Sequence, residues 1–229
     1  MLTLAFDTAS KTASVAILRD QDILYDTIIN KGLNHSEVLL PAIDEACHLS
    51  RIKLPEIDLF SCTLGPGSFT GLRIGVSTLK GLMLATGKPA AGISSLAALA
   101  LNVKEKGKII GAMMDAGRGQ VYLAYYQYDK DGILNQLEAA RALNPQSISY
   151  SCEEEVIYVG DGAMKYADVI RSPSNREIVP AQQQFICASA VGLLAIEKYR
   201  CNDLLDLAGC VPVYLRSADA LLKKSSASV

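Results

Sequence analysis

The chain has 229 residues, half of them apolar, with 22 basic against 24 acidic side chains and a formal charge of −2. That length suits one large domain or two small lobes, either of which can bury a real core. The near-neutral balance argues against a general nucleic-acid binder, which needs surplus cations to displace counterions from phosphates. The longest uncharged run, Pro89 to Val103, is interrupted by Gly92, Ser94 and Ser95 and is too short to span a bilayer. The opening MLTLAFD has no basic region ahead of its apolar stretch. No secretory leader is expected, and the chain reads as soluble and cytoplasmic with no membrane partner.

Taken in chain order, Leu2 to Phe6 reads as a strand and Asp7 to Ser10 as a turn, followed by strands at Ala13 to Leu18 and Ile23 to Ile29. Asn34 is expected to cap a helix that runs to about Ser50, with Glu37 completing a capping box. Ile57 to Leu64 is continuously apolar and is expected to be a strand buried on both faces. A glycine-rich turn, a helix from about Phe69 to Thr86, a strand at Pro89 to Ile93 and a helix at Ser95 to Val103 follow. Lys104 to Lys108 is the one charged, glycine-containing break in the middle of the chain. Beyond it the opening pattern returns: Ile109 to Met114, Asp115, the small-residue turn Ala116 to Gly119, and the strand Gln120 to Tyr126.

The expected organisation is therefore α/β, with two pseudo-twofold-related lobes of mixed sheet and packed helices. Residues 1–106 form the first lobe and residues 107–207 the second. Residues 208–229 are expected to return to the first lobe. This is the plan of the actin-like ATPase (ASKHA) fold, in which the hairpin after each lobe's first strand faces the inter-lobe cleft and handles phosphates. Asp7 and Asp115 take those places. Two readings stay open for each: it holds a metal-bound phosphate in the cleft, or it hydrogen-bonds its own turn.

Several residue types are read as inert. Cys47, Cys62, Cys152, Cys187, Cys201 and Cys210 are scattered without a C-x-x-C and are expected to be reduced. His35 and His48 do not form the H-E-x-x-H of a zinc helix, so no metal site of the chain's own is expected. Tyr122, Tyr125, Tyr126 and Tyr128 resemble a base-stacking platform, but strand spacing favours ordinary sheet packing. The segment Leu221 to Ser226 is expected to fray at the surface, and Arg216 stands out in the P-x-Y-L-R segment before it.

The most informative stretch is Leu64-Gly65-Pro66-Gly67-Ser68-Phe69-Thr70-Gly71-Leu72-Arg73-Ile74-Gly75. It follows a strand and opens a helix, the usual place for an anion-binding loop. Its glycines fall one residue wider than the dinucleotide fingerprint, the later Gly81 to Lys88 run is not a P-loop, and Ser68 does not sit in G-x-S-x-G. The string GPGSFTGLRIG at Gly65 to Gly75 resembles the TsaB (YeaZ) family of bacterial proteins of tRNA threonylcarbamoyladenosine synthesis. The weaker segments FDTAS at Phe6 to Ser10, NHSEVLLPAI at Asn34 to Ile43, DAGRGQVY at Asp115 to Tyr122 and PVYLRSADA at Pro212 to Ala220 support it.

The resemblance implies a non-catalytic subunit. A paralogue, TsaD, would carry the transfer of the threonylcarbamoyl group to the adenosine beside the anticodon, in tRNAs reading codons that begin with A. TsaD holds a metal with a H-x-x-x-H pair, and Ser95 and Leu99 stand about where those histidines would be. Neither is a good ligand. The implied partners are TsaD as a heterodimer, the ATPase TsaE, a second copy when alone, and tRNA through the complex. ATP or ADP and a metal are expected only in the assembled complex.

The two helices also carry more apolar surface than one-sided packing needs. Apolar residues of the first cover an arc of roughly 200°, where about 100° suffices, and the second is apolar nearly all round. With Ile74, Gly75 and Leu82 placed toward the sheet, Leu72, Arg73, Val76, Lys80 and Met83 are expected to face outward. Together with Leu39 and Ile43 they make the expected docking face, which a partner should cover. Val76→Asp is then expected to abolish pairing and leave the monomer folded. Asp7, Thr8, Ser10, Gly65, Pro66, Gly67, Ser68 and Asp115 are the residues expected near the cleft or a nucleotide. The competing readings are a free-standing small-molecule kinase of the actin-like fold, for which only Gly160-Asp161-Gly162 hints at an adenosine loop, and a peptidase, for which no nucleophile or metal is evident.

Overall fold

A computed structural model describes residues 1–30, 32, 34–148, 155–171 and 176–215. The notable feature is a repeated sheet. In the first lobe β1 (Leu2–Asp7), β2 (Ala13–Arg19), β3 (Asp22–Ile29), β4 (Leu59–Gly65) and β5 (Ala90–Ser94) lie in the order β3-β2-β1-β4-β5. In the second, β6 (Ile109–Gly117), β7 (Gln120–Tyr128), β8 (Leu134–Leu143), β9 (Val156–Val159) and β10 (Arg176–Ile178) lie in the order β8-β7-β6-β9-β10. In each sheet the first three strands are antiparallel neighbours, and the last two join the first in parallel.

Alternation along the strands sets the layers. Leu4, Phe6, Val15 and Ile17 point to one face of the first sheet, where α1 (His35–Ser50) and α2 (Phe69–Thr86) cover them through Leu39, Ile43, Val76 and Leu79. The opposite face, with Ala5, Ala91 and Ile93, joins Ala112, Met114 and Tyr126 of the second sheet in one continuous core. Two helices fill the space between the sheets: α3 (Ser95–Ala100), which packs on β6, and α6 (Ala188–Arg200), which packs on β1 and β2. A Cβ at Gly192 of α6 would meet a Leu18 methyl at 2.4 Å, so glycine lets this helix lie flat on β2. The second sheet's outer face is covered by α4 (Asp161–Lys165) and α5 (Ala167–Ile170).

Three expectations need correction. Although α6 falls within 107–207, it packs on the first lobe's sheet, because its apolar side is matched by β1 and β2 rather than by the strands preceding it in the chain. The helix after β5 stops at Ala100 rather than Val103. No capping box forms at Asn34: its side-chain amide donates to the Glu37 carboxylate at 2.7 Å instead of capping the backbone.

The chain beyond α6 runs back along the first sheet. Leu205 N–H donates to the Ala90 carbonyl at 2.8 Å and Val213 N–H to the Leu64 carbonyl at 2.7 Å, and Cys210 is sealed in the core beneath α2. Cys47, Cys62, Cys187, Cys201 and Cys210 are free thiols. Cys152, Arg216 and the segment Leu221 to Ser226 lie outside the described residues. Among the described residues no helix is long and apolar enough to cross a membrane.

Candidate functional site

The two candidate surfaces are the cleft between the sheets and the outer side of α1 and α2. The glycine-rich loop belongs to both, and its sequence is explained by close approach. A Cβ at Gly67 would lie 2.3 Å from the Ala9 carbonyl oxygen, one at Gly71 2.0 Å from that of Thr8, and one at Gly75 2.5 Å from the Thr8 hydroxyl. Only hydrogen fits at each. The Thr8 hydroxyl donates to the Gly71 carbonyl at 2.8 Å and Ser68 N–H to the Ala9 carbonyl at 2.7 Å, while the Ser68 hydroxyl caps α2 by accepting from Gly71 N–H. The string Gly65 to Gly75 thus clamps the start of α2 onto the turn after β1.

That clamp buries part of the expected cleft set. Asp7, Thr8, Gly65 and Pro66 lie beneath the surface, while Ser10, Gly67, Ser68 and Asp115 line an open cleft of about 1100 Å³. Asp7 is fully buried; its Oδ1 accepts from Ala9 N–H at 3.1 Å and from the Thr63 hydroxyl at 2.5 Å, and its Oδ2 has no partner among the described residues. Burial pushes this carboxyl up to about 6, against the lowering effect of those two donors.

Asp115 is the accessible counterpart. Its Oδ1 accepts from Gly117 N–H at 3.1 Å, its Oδ2 pairs with the Lys165 ammonium at 2.8 Å, and its own N–H donates to Asp161 at 2.9 Å. Burial raises the Asp161 carboxyl, with the neighbouring Asp115 charge adding to it and the Asp115 N–H opposing. Asp161 and Lys165 also border a smaller chamber of about 400 Å³, floored by Leu99 and Met114.

Lys11, His35, Asp161 and Lys165 were not among the residues picked from sequence. His35 bonds the Ser10 carbonyl through Nε2 at 2.8 Å and so ties α1 to the first hairpin. Asp161 carried a faint signal in the Gly160-Asp161-Gly162 string. Lys165 had none, since its partner is 50 residues away in the chain. The tyrosines of β7 are ordinary sheet residues: Tyr122, Tyr126 and Tyr128 pack in the inter-sheet core and Tyr125 on the other face.

The expected docking face is substantially corrected. Leu39, Ile43, Leu72, Val76 and Met83 are buried by this chain's own packing, Leu72 and Leu39 almost completely. The reason is that α1 and α2 lie side by side on the sheet, so each helix needs an apolar stripe wide enough for two neighbours. Arg73 remains exposed and Lys80 half-buried. What faces outward instead is Leu40, Leu49 and Leu84, all more than half exposed. Between the helices runs a groove of about 500 Å³ bordered by Ser36, Leu40, Thr70, Arg73, Ile74 and Ser77.

The matches to known proteins cover the whole arrangement. The family model for TsaD, tRNA N6-adenosine threonylcarbamoyltransferase, matches residues 30–204. The chain is 31% identical over 228 residues to the tRNA threonylcarbamoyladenosine biosynthesis protein TsaB of Bacillus subtilis (strain 168), covering 97% of each. It is 29% identical over 224 residues to TsaB of Escherichia coli (strain K12), covering 95% of each. The structure of YeaZ from Pseudomonas aeruginosa superposes with a TM-score of 0.80 at 24% identity, covering 93% of this chain and 99% of that one, and with the repeated sheets it shows the actin-like ATPase fold. Sequence, sheet order and glycine clamp converge: the chain belongs to the TsaB (YeaZ) family of tRNA threonylcarbamoyladenosine biosynthesis proteins.

Proposed function

We propose that this protein is a non-catalytic subunit of the complex that forms threonylcarbamoyladenosine next to the anticodon. It pairs with the catalytic paralogue TsaD through the outer side of α1 and α2, works with TsaE, pairs with a second copy of itself when TsaD is absent, and meets tRNA through the complex in the cytoplasm. ATP or ADP and the metal enter with those partners.

The observation that carries this reading is the state of the cleft: the groups an actin-like enzyme would use are engaged by the chain itself. Asp7 is sealed under the glycine clamp, and Asp115 is held by Lys165. Where the resemblance places a metal-holding histidine pair, Ser95 is fully buried and Leu99 offers only hydrocarbon. The kinase reading loses its adenosine loop. A Cβ at Gly160 would lie 2.2 Å from the Met113 carbonyl oxygen and one at Gly162 2.8 Å from the Met114 carbonyl carbon, so these glycines serve packing on β6.

The test must use residues that are outside the core. Val76→Asp places a charge in the α2 core and is expected to unfold the monomer, contrary to the expectation from sequence. Leu40→Asp with Ser77→Arg alters the groove and spares the core. The unaltered chain is expected to co-purify with TsaD, and the double variant to lose TsaD while melting at the same temperature. An intact complex would remove this face from consideration, and turnover by the purified chain alone would end the non-catalytic reading. Depletion in cells is expected to remove threonylcarbamoyladenosine from digested tRNA.

A further inference from the structure

The returning C-terminal segment ends its described course at the mouth of the α1–α2 groove, and the contacts there are specific. Val213 is fixed on β4 by its bond to the Leu64 carbonyl. A Cβ at Gly65 would lie 2.4 Å from the Val213 carbonyl oxygen, so the two backbones touch only because that residue is glycine. The next residue, Tyr214, stacks on Phe69 with ring centroids 4.8 Å apart. One turn along α2, Arg73 lays its guanidinium 3.8 Å from the Phe69 centroid, and its Nε donates to the Tyr214 hydroxyl at 3.3 Å.

An exposed arginine ordinarily samples many rotamers and loses that freedom on binding. Here a ring beneath it and a hydroxyl at Nε hold it in one orientation. Among the described residues no carboxylate lies within salt-bridge reach of the guanidinium, although α1 carries Glu37, Asp44 and Glu45. A preordered guanidinium whose terminal nitrogens have no partner among the described residues suits a bidentate carboxylate better than any other protein group. The groove beside it is apolar at Leu40 and Ile74 and hydroxylic at Thr70 and Ser77. It therefore fits an acidic side chain set among apolar ones.

We infer that Arg73 is the anchor of this face, receiving an aspartate or glutamate of the catalytic paralogue, and that Tyr214 is its positioning residue. The inference rests on the pairing proposed above and adds the chemistry of the contact. It also makes the strength of pairing depend on the C-terminal segment, through Tyr214.

The test is calorimetric titration of the full chain into purified TsaD, with melting curves to confirm folding. Arg73→Ala is expected to weaken pairing on the order of 30-fold, the usual size for a central arginine. Arg73→Lys should recover little of this, because an ammonium neither stacks nor forks. Tyr214→Ala should weaken pairing about fivefold alone and add nothing once Arg73 is alanine; a merely structural tyrosine would give additive effects in that double-mutant cycle. Additivity overturns the positioning role. Arg73→Ala binding within about twofold of the unaltered chain, while Leu40→Asp still abolishes it, overturns the anchor and leaves the pairing standing. No effect from Leu40→Asp overturns the pairing itself, and the anchor with it. If sedimentation shows Arg73→Ala weakening only self-association, the carboxylate belongs to a second copy and the assignment to the paralogue fails.

Discussion

In both sheets the first strand carries an aspartate at or near its C-terminal end, Asp7 and Asp115, whose Oδ1 accepts the backbone N–H two residues on, at 3.1 Å in each case. The repeat therefore extends from strand order to the geometry of one turn. What surrounds the turns differs. The first is overlaid by the start of α2, which meets it backbone to backbone at Gly67 and Gly71, and it has become a packing joint. At the second, no described atom lies within 4 Å of a Cβ added at Gly117 or Gly119, and its aspartate reaches a lysine at the cleft rim. The same turn geometry is thus kept in both sheets while the first aspartate is buried and the second stays accessible, because the start of α2 packs over the first turn.

Substitutions can break that contrast, and the largest effect should fall on the first turn. Gly71→Ala would drive a methyl into the Thr8 carbonyl and is expected to cost about 3 kcal/mol or more. Gly117→Ala meets no described atom within 4 Å, and its positive φ of 69° is expected to cost about 1 kcal/mol. Urea unfolding of the two variants should show that order, and equal losses would erase the distinction between joint and rim.

Titration sharpens it next. The folded carboxyl of Asp7 lies at about 6, above its ordinary 3.8, so the folded state holds the proton more tightly. The stability this confers is fully present below pH 3.8 and is lost as pH rises through 6, by up to about 3 kcal/mol. Asp7→Asn is expected to flatten that slope in unfolding curves taken between pH 4 and 7. A variant with the same slope as the unaltered chain would mean that another group carries it.

The smallest effect belongs to the rim. Lys165→Ala removes a pair whose lysine is about half exposed, and its melting temperature is expected to move by no more than about 2 °C. A large shift would make the second turn as structural as the first.

Much of this was legible in the residues. The strand and helix periods from Leu2 to Ile93 were clear because the apolar runs are separated by turn or capping residues such as Asp7 to Ser10, Asn34, Gly65 to Ser68 and Gly87 to Pro89. The repeat of strand, aspartate and hairpin was visible at Asp7 and Asp115, and the Gly65 to Gly75 string pointed to the family. The candidate site was legible only in part. Leu39, Leu72 and Val76 read as surplus surface because a helix period shows how wide an apolar stripe is, and two covering neighbours widen it as much as a partner would. Lys165 left no local mark at all, and Tyr214 stood out only as part of the PVYLRSADA segment, with nothing to show that it meets Arg73.

The sequence by itself determined the elements and their duplication, since these follow from the alternation of apolar residues along the chain and the turn residues between them, whereas the fit of glycine alone at Gly67, Gly71 and Gly75 depends on the tertiary approach of Thr8 and Ala9. Which side of α1 and α2 stays outside, which aspartate is sealed, that α6 lies on the first sheet and that Tyr214 meets Arg73 were decided by the tertiary structure. Each depends on what a segment remote in the chain covers, and burial and pairing energies come from that contact rather than from the neighbouring residues.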